Sequence, residues 1–438
     1  MNIDYAVKNP KKIAIDSRTL KRGDIFLAIK GENFDGHDFV QAAFEKGAKA
    51  AIVSRPCRLR ESLRDRAITV KDTIRTLGDI AHEHRRQFKI PVVAITGSNG
   101  KTTAKDMTAH VLESTFNVLK NESSKNNLIG LPLTLLQLEK RHDIAVLEMG
   151  MNHLGEIDRL SEIAEPQVGV VTNIGFSHIE FLGTLKNVFI AKSELLNRLK
   201  KDDVAILNCD DQYLRRIKSS RFNRIYYGIN HRCKHQAVKP CYKENYWSFS
   251  LKNGNEFKLG VLGRHNIYNA LISIAVAREF RIAFPVIAER INSYRQVCPM
   301  RLELSRVDGI EILNDSYNSN PSSFESSLDT LLRYKTHGKR IIIAGDMLEL
   351  GNEARSMHEE IGRAIAASSV NTLITLGDMS SFIRRIAKDA GMKDIYEAKS
   401  HRSAADFLKR VAKSGDVVLI KGSRAMRMEK VLECFERS

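Results

Sequence analysis

The stretch that organises this chain reads Ile95-Thr96-Gly97-Ser98-Asn99-Gly100-Lys101-Thr102-Thr103. An apolar run at residues 92–95 precedes it and a helical pattern at residues 103–114 follows it, which predicts a strand, a glycine turn and a helix. Glycines let backbone N–H groups approach an anion, and the amino end of a helix adds partial positive charge. Lys101 can then reach terminal phosphates, and the Thr102 hydroxyl can bind Mg²⁺. We therefore predict a site for a nucleotide triphosphate.

The spacing of this stretch is shorter than the common phosphate-loop pattern, because only two residues separate Gly97 from Gly100. A bare Gly-Lys-Thr tripeptide is more often an ordinary turn. The flanking strand and helix favour the phosphate site in this chain.

Composition limits the class of protein. A chain of 438 residues with 43% hydrophobic content predicts two or three globular domains. No apolar run approaches the roughly 20 residues that span a bilayer, and the amino terminus is polar, so we expect a cytoplasmic protein without membrane insertion. The net charge of +17 suits anionic substrates. Acidic residues are interspersed and no nucleic-acid motif is found, so we expect no nucleic-acid partner. We expect a monomer, since heptad repeats are lacking.

The alternation of apolar runs and helical patterns predicts an α/β fold in three parts. Residues 1–88 form a small α/β module. Residues 89–296 alternate strand and helix, which predicts a mostly parallel sheet, and residues 297–438 predict a second doubly wound unit.

Polar residues follow the apolar runs of the middle part. Glu148 comes after residues 144–147, and His178 comes shortly after residues 168–174. Ligands gather at the carboxyl ends of parallel strands, so Glu148 is a candidate Mg²⁺ ligand and His178 a candidate ligand or base. The alternatives are a helix cap for Glu148 and a hydrogen-bonded structural role for His178.

Lys192 interrupts an apolar stripe on a predicted helix at residues 185–199. A lysine on a buried face must extend to solvent, pair with an acid or change its chemistry. The first outcome is the common one, whereas a neutral or modified amine would make Lys192 a site residue.

Two further groups of residues are candidates for contact with the nucleotide. Asn266 and Asn269 lie three residues apart, so a helix would direct both amides to one face, towards a base or ribose. In the last part of the chain, Asp315 follows an apolar strand, and Arg301 or Lys421 could present a cation to phosphate across a cleft.

Five motifs, in order along nearly the whole chain, resemble those of the Mur ligases of peptidoglycan synthesis. They are residues 96–103, 148–150, 173–175 with His178, 263–269 and 299–303. Further motifs resemble the branch of that family that adds D-alanyl-D-alanine to UDP-N-acetylmuramoyl-tripeptide. These are residues 16–18, 35–37, 126–132, 315–321, 345–351 and 421–424.

The resemblance implies an N-terminal domain that holds the uridine nucleotide, a central P-loop-type ATPase and a C-terminal Rossmann-like ligase domain. It also implies ATP and Mg²⁺ as cofactors and an acyl phosphate as intermediate. Cell-wall synthesis, and through it cell shape and division, would be the biological setting.

The resemblance also implies roles for individual residues. The ATP site would comprise Gly97, Ser98, Asn99, Gly100, Lys101, Thr102, Thr103, Asn266, Asn269, Arg301 and Asp315. The metal ligands would be Thr102, Glu148, His178 and a carbamylated Lys192, with Lys101, Glu148, His178 and Lys192 as the catalytic set. The substrate would lie near Ser17, Arg18, Asn126 and Asn127.

Three alternatives stay open at this point. The sister ligase adds a single diamino acid to the UDP-muramoyl dipeptide, but its Asp-Asn-Pro-Arg signature is absent. An enzyme like folylpolyglutamate synthase shares the core, but the N-terminal module disfavours it. A regulatory protein that has lost catalysis is disfavoured by the presence of Lys101, Glu148, His178 and Lys192.

Overall fold

The computed structural model describes residues 3–31, 33–122, 125–296 and 298–437, which form three successive β-sheets. The first sheet has four parallel strands in the order β1-β2-β3-β4. Its strands are β1 (Ile13–Ala14), β2 (Ile25–Leu27), β3 (Ala50–Val53) and β4 (Ala67–Thr69). Its helices are α1 (Ile3–Lys8), α2 (Val40–Glu45), α3 (Glu61–Arg64) and α4 (Thr73–Arg86).

The second sheet has nine strands and carries the glycine-rich stretch. Its strands are β5 (Val92–Thr96), β6 (Val118–Lys120), β7 (Ile144–Glu148), β8 (Val168–Val171), β9 (Val204–Asn208), β10 (Asn223–Gly228), β11 (His235–Lys243), β12 (Tyr246–Leu251) and β13 (Glu256–Lys258). Its helices are α5 (Lys101–Leu112), α6 (Gly130–Leu135), α7 (Glu156–Ala164), α8 (Ile179–Leu182), α9 (Leu185–Asn197), α10 (Asn266–Glu279) and α11 (Phe284–Ser293). The strand order is β13-β12-β11-β10-β9-β8-β5-β7-β6.

Burial differs between the parallel and the antiparallel strands of this sheet. All five residues of β5 and of β7 are buried, because helices cover both faces of the parallel part. β12 alternates half-buried and buried residues, as expected for an antiparallel strand with one face exposed. The parallel strands β5, β7 and β8 therefore end at one edge, where their loops meet.

The third sheet has the order β14-β15-β19-β16-β17-β18, with only β14 antiparallel to its neighbour. Its strands are β14 (Glu303–Val307), β15 (Ile310–Asp315), β16 (Arg340–Gly345), β17 (Thr372–Leu376), β18 (Ile395–Ala398) and β19 (Val417–Lys421). Its helices are α12 (Pro321–Arg333), α13 (Ala354–Ala366), α14 (Ser380–Asp389), α15 (His401–Val411) and α16 (Glu429–Glu436).

The predicted α/β fold, with a mostly parallel central sheet and a second parallel unit after it, is confirmed. The proposed domain limits after residues 88 and 296 lie between α4 and β5 and between α11 and β14. Helix ends differ slightly from expectation, since α5 begins at Lys101 and α9 ends at Asn197. In the part of the chain that the structure describes, no helix combines the length and apolar character needed to cross a bilayer.

Candidate active site

The glycine-rich stretch forms a loop between β5 and α5 in which two glycines are sterically required. Gly97 has φ 145° and Gly100, the N-cap of α5, has φ 82°, both in the region that side chains disfavour. A Cβ atom at Gly97 would lie 1.9 Å from Thr172 Oγ1, and one at Gly100 would lie 2.8 Å from Asn269 Oδ1. Both positions therefore depend on glycine for space as well as for backbone conformation.

The loop is held in place by the residues that follow β8. Asn99 N donates to Asn173 Oδ1 at 3.0 Å, and Thr172 Oγ1 donates to Asn99 O at 2.6 Å. Lys101 Nζ donates to Gly97 O at 2.8 Å, so the lysine folds back over the loop. Burial lowers the pKa of Lys101, and the nearby Glu148 carboxylate opposes that shift. These hydrogen bonds fix the loop against the end of β8.

Glu148 ends β7 beside this loop and is only 2% exposed. Asn126 Nδ2 donates to its Oε1 at 2.7 Å, whereas Oε2 is buried and has no hydrogen-bond partner among the described residues. Burying a carboxylate oxygen without a partner costs free energy unless a cation or a hydrogen-bond donor binds it. Mg²⁺ prefers oxygen ligands, so this atom and the Thr102 hydroxyl fit such an ion.

Lys192 points from α9 into the interior and is 2% exposed, so it does not extend to solvent. Burial, and secondarily the positive charge of Lys101, lowers the pKa of Lys192 well below its ordinary value. The lowered pKa favours the neutral form of the amine, and a neutral amine can react with CO₂ to form an anionic carbamate. This chemistry is compatible with the proposed role of Lys192 as a metal ligand.

His178 occupies the N-cap of α8 with a left-handed backbone, φ 55°. Its Nδ1 lies 2.8 Å from Glu349 Oε2 of the third sheet's domain. His178 lowers the pKa of Glu349. Glu180 N also donates to Glu349 O at 3.1 Å, which ties the central and C-terminal domains together.

The amino end of α10 lies next to the loop between β5 and α5. Asn269 Nδ2 donates to Asn266 Oδ1 at 2.7 Å, and Asn266 Nδ2 donates to Leu262 O at 2.5 Å. The two amides therefore orient one another. Asn269 Oδ1 lies beside Gly100 of the loop between β5 and α5, residues 97–100, which we call the phosphate loop. Burial lowers the pKa of the adjacent His265, which favours its neutral form.

Arg301 and Asp315 come from the C-terminal domain. Arg301 Nη2 donates to Thr102 Oγ1 at 3.0 Å, and its guanidinium lies 4.0 Å from the centre of the Tyr317 ring. Asp315 is held within its own domain, because Lys421 Nζ and Leu302 N both donate to its carboxylate. The expectation that Lys421 could meet phosphate is therefore not favoured, since its amine is buried against Asp315.

These residues surround one cleft of about 860 Å³ between the domains. Most of the predicted site residues line it: Ser98, Asn99, Gly100, Lys101, Thr102, Thr103, Asn126, Asn127, Glu148, His178, Asn266, Asn269, Arg301 and Asp315. Gly97 and Lys192 are not on its wall. Ser17 and Arg18, on the N-terminal domain, are not among the residues that line it, and the exposed Arg18 pairs with Asp16 at 2.8 Å.

Sequence reasoning missed several residues of this site. Asn99 Nδ2 donates to Ser322 Oγ at 2.8 Å, and Asn320 Nδ2 donates to Asn99 Oδ1 at 2.8 Å, so the start of α12 contacts the phosphate loop. Asn320 and Glu349 lie within the motifs at residues 315–321 and 345–351, but those motifs by themselves assign neither residue a role in the site. Asn320 offers a signal, because an Asn before Pro321 predicts a helix N-cap at the end of a loop.

Three family models match consecutive parts of the chain. The Mur ligase family catalytic domain matches residues 10–85, the Mur ligase middle domain residues 95–277, and the Mur ligase glutamate ligase domain residues 300–424. Together they account for most of the sequence.

Relatives match over nearly the full length. The UDP-N-acetylmuramoyl-tripeptide--D-alanyl-D-alanine ligase of Bacillus subtilis is 37% identical, over 96% of this chain and 92% of its own. The structure of MurF from Acinetobacter baumannii superposes with a TM-score of 0.89 at 29% identity, covering 97% of this chain and 93% of that one. MurF ligase from Thermotoga maritima in complex with ADP gives 0.86 at 31% identity, with 97% of each chain covered. By its motifs, its fold and these matches, the chain belongs to the Mur ligase family.

Proposed function

We propose that this chain is an ATP-dependent, ADP-forming amide ligase that joins D-alanyl-D-alanine to UDP-N-acetylmuramoyl-tripeptide in peptidoglycan synthesis. The observation that carries the proposal is the single cleft in which the phosphate loop, Glu148 and His178 of the central domain face Arg301 of the C-terminal domain. Relatives that bear this activity in their names match nearly the whole chain. The sister ligase that adds a diamino acid is not favoured.

The chemistry requires activation, because a carboxylate is a poor electrophile. Transfer of the terminal phosphoryl group of ATP to the free carboxylate of the tripeptide gives an acyl phosphate and ADP. The amine of D-alanyl-D-alanine then attacks the acyl carbon and loses a proton, and phosphate leaves as the amide forms. Two anions must approach each other in the first step, so the site needs cations.

The chain supplies these cations and fixed dipoles itself. The amides of the phosphate loop and Lys101 bind the phosphates, while Arg301 approaches from the opposite domain and meets the terminal phosphate. Thr102, Glu148, His178 and carbamylated Lys192 would hold Mg²⁺. When bound, Mg²⁺ neutralises phosphate charge and polarises the phosphoryl oxygens.

The remaining contacts divide between the two substrates. Asn269, with Asn266, contacts adenine, and Asp315 contacts ribose or phosphate. Asn126 and Asn127 lie near the muramoyl peptide, while Ser17 and Arg18 serve the UDP group. In this proposal residues 1–88 bind the UDP substrate, residues 89–296 bind ATP, and residues 297–438 complete the ligase.

Phosphate release tests the proposal directly. The full chain is given ATP, Mg²⁺, UDP-N-acetylmuramoyl-tripeptide and D-alanyl-D-alanine, and each substrate is omitted in turn. Release that requires both the tripeptide and D-alanyl-D-alanine supports the proposed reaction. Turnover only with the UDP-muramoyl dipeptide and a diamino acid would assign the sister activity instead, and release independent of any acceptor would contradict ligation altogether.

A further inference from the structure

The carboxylates that line the cleft differ in the hydrogen bonds that they already accept from the protein. Of the described residues that line it, six are acidic: Glu148, Glu156, Asp210, Asp211, Asp315 and Glu349. Four of them accept hydrogen bonds from main-chain N–H groups or from a lysine, and these bonds fix local structure. These are Glu156 with Asn152 N, Asp210 with the N–H groups of residues 229–231, Asp211 with Ile174 N, and Asp315 with Lys421 Nζ. These four carboxylates therefore stabilise the local structure of the protein.

Among the described residues, the Glu148 carboxylate accepts only from Asn126 Nδ2 and the Glu349 carboxylate lies only against His178, so both can still bind a cation, and their settings differ. Glu148 is buried on the central domain, where the positive charges of Lys101 and Arg301 are close. The side chain of Glu349 is 46% exposed, and its only close partner among the described residues is His178. Glu148 thus belongs to the phosphate end of the cleft, whereas Glu349 is open to a ligand that arrives from solvent.

The loop that carries Glu349 is held from both sides. Leu348 N donates to Ser423 Oγ at 2.8 Å within the C-terminal domain, and Glu349 O accepts from Glu180 N of the central domain. Glu349 itself has φ 63°, a conformation that costs free energy for a residue with a side chain. Such strain persists only where the surroundings impose it, and here it directs a carboxylate towards the cleft.

We propose that Glu349 binds the ammonium group of the amine acceptor and holds its nitrogen beside the activated carboxyl group. The ammonium then passes one proton to solvent water, and the resulting amine attacks the acyl carbon as phosphate leaves. The proposal rests on the proposed function, in which D-alanyl-D-alanine brings an ammonium group to a cleft otherwise arranged for anions. A half-exposed carboxylate can receive that group without the large desolvation cost of a buried ion pair. Charge-assisted hydrogen bonds from an ammonium to a carboxylate are also the strong and directional kind.

A competing role for Glu349 is mechanical, because its contacts with His178 and Glu180 join two domains. A residue that only held the domains together would affect formation of the acyl phosphate as much as its reaction with the acceptor. A residue that binds the acceptor would affect only the second step. Hydroxylamine separates the two, since it is a small uncharged nucleophile that traps an acyl phosphate as a hydroxamate without an acceptor peptide.

The test compares Glu349→Gln with the native chain and with Glu353→Gln, an exposed glutamate in the next turn. Each is given ATP, Mg²⁺ and UDP-N-acetylmuramoyl-tripeptide, with either hydroxylamine or D-alanyl-D-alanine. We expect Glu349→Gln to raise KM for D-alanyl-D-alanine by about 10- to 100-fold, the value of one hydrogen bond to a charged group. Its hydroxamate rate and its KM for ATP should stay near native, and Glu349→Asp should recover part of the loss.

Each contrary result is distinguishable. Equal loss of hydroxamate and amide formation would make Glu349 a domain contact and overturn the proposal. A rise in KM for the UDP substrate alone would assign the carboxylate to the donor peptide, and unchanged kinetics would remove it from the reaction. If the native chain formed no hydroxamate and no amide, the proposed function itself would fail.

Discussion

Two buried lysines of this chain have opposite surroundings. Lys421, at the end of β19, is 1% exposed in its side chain and forms an ion pair with Asp315, and it also donates to Asn318 O at 3.1 Å. Lys192, on α9, is equally buried, but the charged group that most affects it is another lysine, Lys101. Breaking a buried ion pair destabilises the folded state, whereas burial beside a like charge favours the neutral form of a lysine.

The contrast predicts that removing each charge has a different consequence. Replacement of Lys192 relieves a group whose burial is unfavourable for the folded state, so it should cost activity and not stability. Replacement of Lys421 leaves the partly buried Asp315 without its counter-charge, so it should cost stability first.

The largest expected effect is on catalysis. Lys192→Ala should lower turnover by about 10²- to 10³-fold, because the site loses the group that would carry negative charge to the metal. Short-chain carboxylates such as acetate should restore part of the activity if a carbamate is the native ligand. Lys186→Ala, at an exposed position of the same helix, is the control. Native turnover of Lys192→Ala would remove Lys192 from the site.

The next effect is on stability. Lys421→Met should lower the free energy of unfolding by roughly 1 to 3 kcal/mol, since it leaves the partly buried Asp315 carboxylate without its counter-charge. Urea denaturation measures this change. The double variant Lys421→Met with Asp315→Asn should be less destabilised than the two single effects added together. Simple additivity would mean that the ion pair does not couple these residues.

The pH dependence of stability sharpens the comparison. The pKa of Lys192 is lowered in the folded state from 10.5, so between the folded and unfolded values the unfolded chain binds more protons. Native stability, measured without CO₂, should therefore rise with pH in that window, by up to about 1.4 kcal/mol per pH unit. Lys192→Met should be more stable than the native chain at neutral pH, and that advantage should shrink as pH rises. A constant difference would contradict the lowered pKa.

The smallest expected effect is the loss of one hydrogen bond to Asp315, the carboxylate that pairs with Lys421. Ser327 Oγ donates to Asp315 Oδ2 at 2.5 Å, so Ser327→Ala should lower the stability by about 1 kcal/mol. The neighbouring Ser326 donates to Ser322 O on the exposed side of α12, and Ser326→Ala provides the matched control. Equal effects of the two substitutions would show that the Ser327 hydroxyl does not stabilise Asp315.

The two lysines also show what could be predicted before the structure was known. Lys192 was detectable because it interrupts an apolar stripe with helical spacing, so one element was enough to place it on a buried face. Lys421 looked like a candidate for phosphate, because its partner Asp315 lies 106 residues away in the chain and on a different strand. Periodicity reports which face is buried, but it does not report which charge lies opposite.

The same limit applies across the cleft. The phosphate loop was predictable because strand, glycine turn and helix are local, and its chemistry lies in adjacent residues. The bond from Asn99 to Ser322 and the contact of His178 with Glu349 join domains, and nothing in their local sequence indicates the partner.

The sequence by itself determined the α/β fold, the order of the three sheets and the phosphate loop, since these depend on hydrophobic spacing and on residues close in the chain. Only the tertiary structure decided that Lys421 is paired and that Lys192 is flanked by Lys101, and only it brought Glu349 to His178. The physical reason is that ion pairing and pKa depend on distances through space, and domain packing brings together residues that are far apart in the sequence.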